Sequence, residues 1–201
     1  MSKVVADISM SLDGYVTARG VDQEHGLGIG GEAIHGWVLD EPRSPVDEAV
    51  LARGFAATGA VVLGRRLYDI VDGPNGWNDE VGYGHDQNQS VAPPCYVLTH
   101  EPPAQVRLAS RFRFVTMGVA AAIEQARAAA GDKDVVVMGG ANVIDQSLAA
   151  GLVDELRIHL SPLVLGGGTR LFELVGPTTL IQREVTESPR ATHLTYEVVR
   201  N

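Results

Sequence analysis

The chain is poor in the residues that mark several protein classes. It has one cysteine, Cys95, so no intrachain disulfide can form and a reducing compartment is expected. Cys95 opens the apolar run CYVL and reads as a buried thiol rather than a nucleophile. No apolar run approaches the roughly 20 residues that a membrane-spanning helix needs. The opening MSKVVADISMSLDG lacks a basic region followed by a long apolar stretch, so no signal peptide is read there and a cytoplasmic location is expected. Positive charge is also scarce. A net charge of −9 disfavours general binding to nucleic acid or anionic membranes, because phosphate contacts need clustered lysine and arginine. A local basic site for a small anion stays open.

Several catalytic signatures are missing too. There is no lysine-bearing phosphate loop GxxxxGK[ST] and no GxSxG nucleophile elbow. The histidines at 25, 35, 85, 100, 159 and 193 form neither HExxH nor a close HxH pair, so no metal site is expected. His159 reads as a structural side chain in a strand. The loop acids Asp72, Asp79, Glu80 and Asp86 do not have calcium-loop spacing.

What is present is an alternation of strands and helices. With 201 residues, 45% of them hydrophobic, the chain can form one domain with a substantial core, expected to span 1–201. Lys3 to Met10, Ala60 to Leu63, Cys95 to Thr99, Phe112 to Thr116 and Val135 to Met138 read as strands. Pro45 to Thr58 reads as a helix, with Pro45 at its start, Asp47 and Glu48 in the first turn, and Gly59 beyond its end. GRRLYDIV and VAAAIEQARAAA read as helices, as does the stretch from Asn142 to Leu148. After about residue 152 strands dominate: Val153 to Leu160, Leu180 to Glu187 and Thr192 to Arg200. An α/β fold follows, with a mainly parallel sheet flanked by helices and an antiparallel C-terminal edge. Ser11 to Pro45 and Asp72 to Pro94 read as long connections, which in a compact domain are usually functional or mobile.

Three strand ends carry unusual turn chemistry. In VVVMGGANVIDQSL two glycines separate a buried strand from a helix. That is a tight turn, or a place where a ligand approaches backbone and the helix N-terminus holds an anion. In VVLGRRLYD, Arg65 and Arg66 fall in the first turn of a helix, where the dipole disfavours cations. They reach into solvent, or a bound anion reverses the sign. In YVLTH the Thr99 hydroxyl lies just past the third strand. Ligands gather at the carboxyl ends of parallel strands. Two phosphate-suited turns and a third candidate on one edge point to a dinucleotide. The Rossmann GxGxxG is absent from the first strand–helix turn, so the site is of another kind.

These residues resemble the dihydrofolate reductase-like superfamily, and within it the reductase domain of the bifunctional riboflavin-biosynthesis deaminase–reductase and its stand-alone bacterial relatives. The resemblance covers nearly the whole chain. It rests on SMSLDGYVTA, LGRRLYD, VLTH, VVVMGGANVIDQSL and DELRIHLSPLVLGGGTRLF. It implies an NADPH-dependent reductase of a small pterin- or pyrimidine-like molecule with a C=N or C=O acceptor, often a homodimer. By resemblance, Gly64, Arg65 and Arg66 would hold the 2′-phosphate region, and Leu98 and Thr99 would line the adenosine. Gly139, Gly140, Ala141, Asn142 and Val143 would cradle the pyrophosphate. Ala6 and the segment Gly14, Tyr15, Val16 and Thr17 would approach the nicotinamide. The riboflavin-type lysine on the substrate side is replaced by Tyr15, and the deaminase zinc cysteines are missing. Counting back from Gly64, the acid of dihydrofolate reductases falls nearest Glu48, with Asp47 beside it; both also suit a helix N-terminus. Glu48, Asp47 and Tyr15 are therefore the candidate catalytic residues. LVLGGGTRLF would close over the site, shape a subunit contact or simply turn the chain. A binding module without turnover and a flavin- or deazaflavin-dependent reductase are the alternatives.

Overall fold

The computed structural model describes residues 2–199. Its strands are β1 (Val4–Ser11), β2 (Tyr15–Thr17), β3 (Thr58–Gly64), β4 (Cys95–Leu98), β5 (Phe112–Val115), β6 (Asp134–Gly139), β7 (Glu155–Ser161), β8 (Thr169–Arg170), β9 (Leu180–Glu187) and β10 (Thr192–Val198). Its helices are α1 (Gly36–Leu39), α2 (Pro45–Ala57), α3 (Arg65–Val71), α4 (Val119–Ala130) and α5 (Ala141–Ala149). The main sheet has the order β5-β4-β3-β6-β1-β7-β10-β9. The strands from β5 to β7 in that order are parallel, and β10 and then β9 join antiparallel. The expected parallel sheet with an antiparallel C-terminal edge is the observed one. Arg200, placed at the end of the last strand by the sequence, lies outside the described residues.

The central strands β3 and β6 carry apolar side chains on both faces, and Val61, Val62, Leu63, Val135 and Val137 are completely buried. Such runs need a helix or loop on each side. The first layer is α4 and α5. Ala122, Ile123, Ala126 and Ala130 recur on one face of α4 and pack in a common core with Val4, Ala6, Val62 and Val137. The second face is different. Side chains alternate along a strand, so Asp7, Ser9 and Ser11 of β1 and Glu155, Arg157, His159 and Ser161 of β7 stand opposite the Ala6 and Ile158 side. That polar face is roofed by α2. Ser44 caps α2 by accepting from the Asp47 backbone N–H, with Pro45 in the first turn. Asp47 is the one buried residue of α2, so the helix stands off the sheet and leaves a groove.

The segment from Ser11 to Pro45 is not the single long connection its glycines suggest. It contains β2, a 3-10 turn at Gly31–His35 and α1. The Trp37 indole N–H donates to Ser9 Oγ at 2.9 Å, and the Ser161 hydroxyl donates to the Ile34 carbonyl at 2.6 Å. These two bonds strap the segment over the polar face. The glycine-rich LVLGGGTRLF returns to pair β8 with β2. Gly168 has φ +137°, and a Cβ there would lie 1.8 Å from the Thr17 carbonyl oxygen. Only glycine allows that approach.

Candidate functional site

A groove of about 2330 Å³ runs from the carboxyl ends of β3, β4 and β6 to the space beneath α2. It is larger than the roughly 300–1,000 Å³ of a pocket for one small molecule. One end is lined by Gly64, Arg65, Arg66, Leu98 and Thr99, with Gly140, Ala141, Asn142 and Val143 beside them. The three turns singled out in the sequence do share one edge.

At that edge the Gly139–Gly140 peptide is cis. Gly140 starts α5 with no side-chain cap, so the first-turn N–H groups carry the partial positive charge of a helix start. A Cβ on Gly140 would meet nothing within 4 Å, and its φ of −68° is open to any residue. The space above it is therefore free for a ligand. Gly139 is different: its φ is +129°, and a Cβ would touch Ile8 and Leu67. Gly64 serves packing, since a Cβ there would come 2.9 Å from Val143 Cγ2. Arg65 is held in place. Its Nε donates to Asp69 at 2.8 Å, and its Nη1 donates to the Glu101 carbonyl at 2.7 Å and to Thr99 Oγ1 at 3.3 Å. Arg66 is exposed and makes no hydrogen bond or ion pair among the described residues. An anion at this edge has Arg66 free to meet it.

The other end lies under α2. Its floor holds Asp7, Ser9, His159 and His193, and Trp37, Val50, Leu51 and Phe55 stand over it. His159 Nε2 is 2.9 Å from Asp7 Oδ1, the two histidine Nδ1 atoms are 2.7 Å apart, and His193 Nε2 is 2.9 Å from Asp47 Oδ1. Trp37 lies over His159 with ring centroids 4.3 Å apart. Burial works to raise the Asp7 carboxyl, but the charge and hydrogen bond of His159, with Arg157, outweigh it and hold it below the usual range. At Asp47 burial also raises, and hydrogen bonds from Ser44 and His193 turn the balance downward. Burial, and the charge of His159, pull His193 down. His35 borders the same floor. Burial depresses it to about 4, and its Nδ1 has no partner among the described residues.

Several expected residues stand elsewhere. Ala6 is fully buried in the core against the α4 and α5 side, because its neighbours Asp7 and Ser9 take the groove face. Gly14 has φ +87° and makes the turn into β2. Val16 and Thr17 do line the groove, but Tyr15 lies in a separate shallow pocket. There its hydroxyl accepts from Arg170 Nε at 3.1 Å, and the guanidinium sits 4.7 Å over its ring. Glu48 points to solvent, while Asp47, about a third of a helical turn away, is buried. The sequence reading did not single out Asp7, Ser9, His35, Trp37 or His193 for this floor; it read His159 as a side chain in a strand, and His159 does lie in β7. The signal was a polar side chain at alternate positions in two otherwise buried strands.

The sequence profile described as the RibD C-terminal domain matches residues 2–194. This chain belongs to the RibD C-terminal domain family. No curated protein is matched by its sequence. Among solved structures, a protein from Shewanella sp. PV-4 described as a riboflavin biosynthesis protein superposes with a TM-score of 0.68 at 20% identity, covering 98% of this chain and 99% of that one. A pyrimidine reductase-like protein from Corynebacterium diphtheriae gives 0.62 at 17%, covering 100% and 93%. A diaminohydroxyphosphoribosylaminopyrimidine deaminase/5-amino-6-(5-phosphoribosylamino)uracil reductase from Thermotoga maritima gives 0.60 at 14%, covering 98% of this chain but 57% of that one. The RibD C-terminal fold is dihydrofolate reductase-like, as the resemblance implies. Among the described residues no helix is long and apolar enough to cross a membrane, and no group of three or more His, Cys, Asp or Glu could hold a metal.

Proposed function

We propose that the chain is an NADPH-dependent reductase acting on a small pterin- or pyrimidine-like molecule with a C=N or C=O acceptor. The observation that carries this reading is Gly140: a backbone cradle with open space above it, at an uncapped helix start, on the edge where Arg66 stands free. The α5 N–H groups of Ala141 and Asn142 would hold the pyrophosphate beside Val143, whose own N–H donates to the Gly140 carbonyl, with Arg66 at the 2′-phosphate and Leu98 and Thr99 on the adenosine side. Val16 and Thr17 border the passage toward the α2 end. A bound dihydronicotinamide would supply the hydride there. The groove is long enough in volume for a dinucleotide and a second small molecule together. Trp37, Val50, Leu51 and Phe55 exclude water from above, and the polar floor orients the acceptor. With Glu48 in solvent and Tyr15 outside the groove, the acid chemistry falls to that floor.

The same reading includes a cytoplasmic homodimer. Leu180, Ile181 and Val185 are exposed on the edge strand β9, a surface that a second copy would cover. NADPH oxidation, followed at its absorbance across a panel of pterins, pyrimidines and cyclic imines, tests the activity. Acceptor-dependent oxidation by one of these classes is expected. Oxidation by none, with NADPH bound, would leave a binding module.

A further inference from the structure

We propose that the His159–His193 pair stores one proton and delivers it through Asp7 to the acceptor nitrogen or oxygen during reduction. The proposal rests on the reductase reading above and extends it to the source of the proton.

The geometry sets the count of protons. Three polar contacts lie in a row: Asp7 to His159, His159 to His193, and His193 to Asp47. Each needs one proton between its two heavy atoms. Two neutral imidazoles bring only two. Both carboxylates are held in their ionised form and contribute none. A contact of 2.7 Å between two Nδ1 atoms is a hydrogen bond only if a proton lies between them. The complete chain therefore carries three protons and one positive charge, shared by the two rings. A fourth proton has no place, since all four ring nitrogens are already engaged.

The charged surroundings agree with one stored proton. Asp7 from β1 and Asp47 from α2 favour it. Arg157 of β7, with Nη1 3.9 Å from Asp7 Oδ2, opposes any further positive charge. His35 from the 3-10 turn is depressed to about 4 and stays neutral near pH 7. Tyr83, in the loop before β4, is kept protonated by its burial and by Asp7.

The chain has one open end. The Asp47 side chain is 0% exposed, His193 6% and His159 8%, whereas Asp7 is 24% exposed. A proton can leave only at Asp7. In the reduction, a hydride from the dinucleotide reductant forms a C–H bond at the acceptor carbon. The π electron pair of C=N or C=O moves to the heteroatom, which takes the one proton that His159 Nε2 passes through the Asp7 carboxylate. Asp7 is ionised before and after the step. The pair is left with two protons, one between the rings and one on His193 facing Asp47. The contact left without a proton is the one at Asp7, where water can reload it. Asp7 is then the catalytic residue, and His159, His193 and Asp47 are positioning residues that keep it supplied.

Imidazole-15N NMR of the protein alone and single-turnover kinetics test this together. In the apo protein at neutral pH we expect the loaded state, with a proton on both Nε2 nuclei at once and a third correlated with both Nδ1 nuclei, and we expect it to be lost in His193→Asn. Asp7→Asn should lower the single-turnover rate by about a hundredfold, within the range of general acid catalysis, with NADPH affinity unchanged. His193→Asn should shift the pH profile of that rate to lower pH, an effect that a packing role would not produce. A pair carrying only two protons at neutral pH overturns the store, whatever the turnover. Three protons with wild-type rates and pH profile in Asp7→Asn overturn the delivery. Failure of the wild type to bind or oxidise NADPH overturns the reductase reading and delivery with it, and the NMR result identifies that failure as lying in the cofactor site.

Discussion

The Arg65 guanidinium donates to the Glu101 carbonyl at 2.7 Å and so ties the start of α3 to the loop after β4. Its Nε is also committed to Asp69. Of two adjacent arginines in one helical turn, one is braced by these bonds and the other, Arg66, is exposed with no hydrogen bond or ion pair among the described residues.

This division predicts different outcomes for the two. Arg66→Ala should weaken NADPH binding tenfold to a hundredfold and leave NADH nearly unchanged. One charge-assisted contact to the 2′-phosphate is worth roughly 1.5–3 kcal/mol, and the preference should shrink as salt rises. Arg65→Ala should weaken both cofactors together, because it releases the Glu101 loop. Fluorescence titration of both cofactors into both variants checks the pair. Equal loss of NADPH and NADH in Arg66→Ala would place the phosphate elsewhere.

Stability should depend on His35. Its folded value of about 4 lies below the ordinary histidine value near 6.5. The unfolded chain therefore binds the extra proton first as pH falls. The stabilisation is complete above about 6.5 and is lost on the way down to 4. At pH 5 the loss is about 2 kcal/mol by linkage. Urea unfolding at pH 7 and pH 5 should show this difference in wild type and a drop smaller by about that amount in His35→Gln. The same pH dependence in both would contradict the burial assigned to this ring.

The pairing of β2 with β8 should fail in Gly168→Ala. The added methyl collides with the Thr17 carbonyl, and φ of +137° is closed to alanine. We expect a loss of at least about 2 kcal/mol in urea unfolding. A Gly166→Ala control, with no atom near its Cβ, meets only the strain of its φ of +68° and should lose less. Equal losses would show that close approach is not what selects glycine at 168.

The edge strand predicts an assembly. Val185→Lys and Ile181→Lys together should shift a dimer to monomer in light scattering, with the unfolding midpoint measured at equal protein concentration. A wild-type mass that is monomeric at every concentration removes the dimer.

The fold was largely legible in the sequence because its central strands are unbroken apolar runs and its helices have clear starts, as Pro45 and Gly140 show. That the turns share one edge of the groove was legible because turn chemistry is local: Gly-Arg-Arg and Gly-Gly sit beside the groove they line. The floor was not. Asp7, His159, His193 and Asp47 are separated by up to 186 positions along the chain, and nothing local shows that β1, β7, β10 and α2 bring them together. Counting back from Gly64 reached Glu48, one residue from the buried acid, because spacing along a helix fixes the turn but not the face.

The central claim is that a dinucleotide lies against the backbone at Gly140. Calorimetric titration of NADPH into wild type and Gly140→Val tests it most directly, because the added Cβ meets no protein atom within 4 Å and points where the ligand would lie. The account predicts saturable binding to wild type and none measurable in a variant of unchanged unfolding midpoint. Equal affinity in the two, or no binding by wild type, would contradict it.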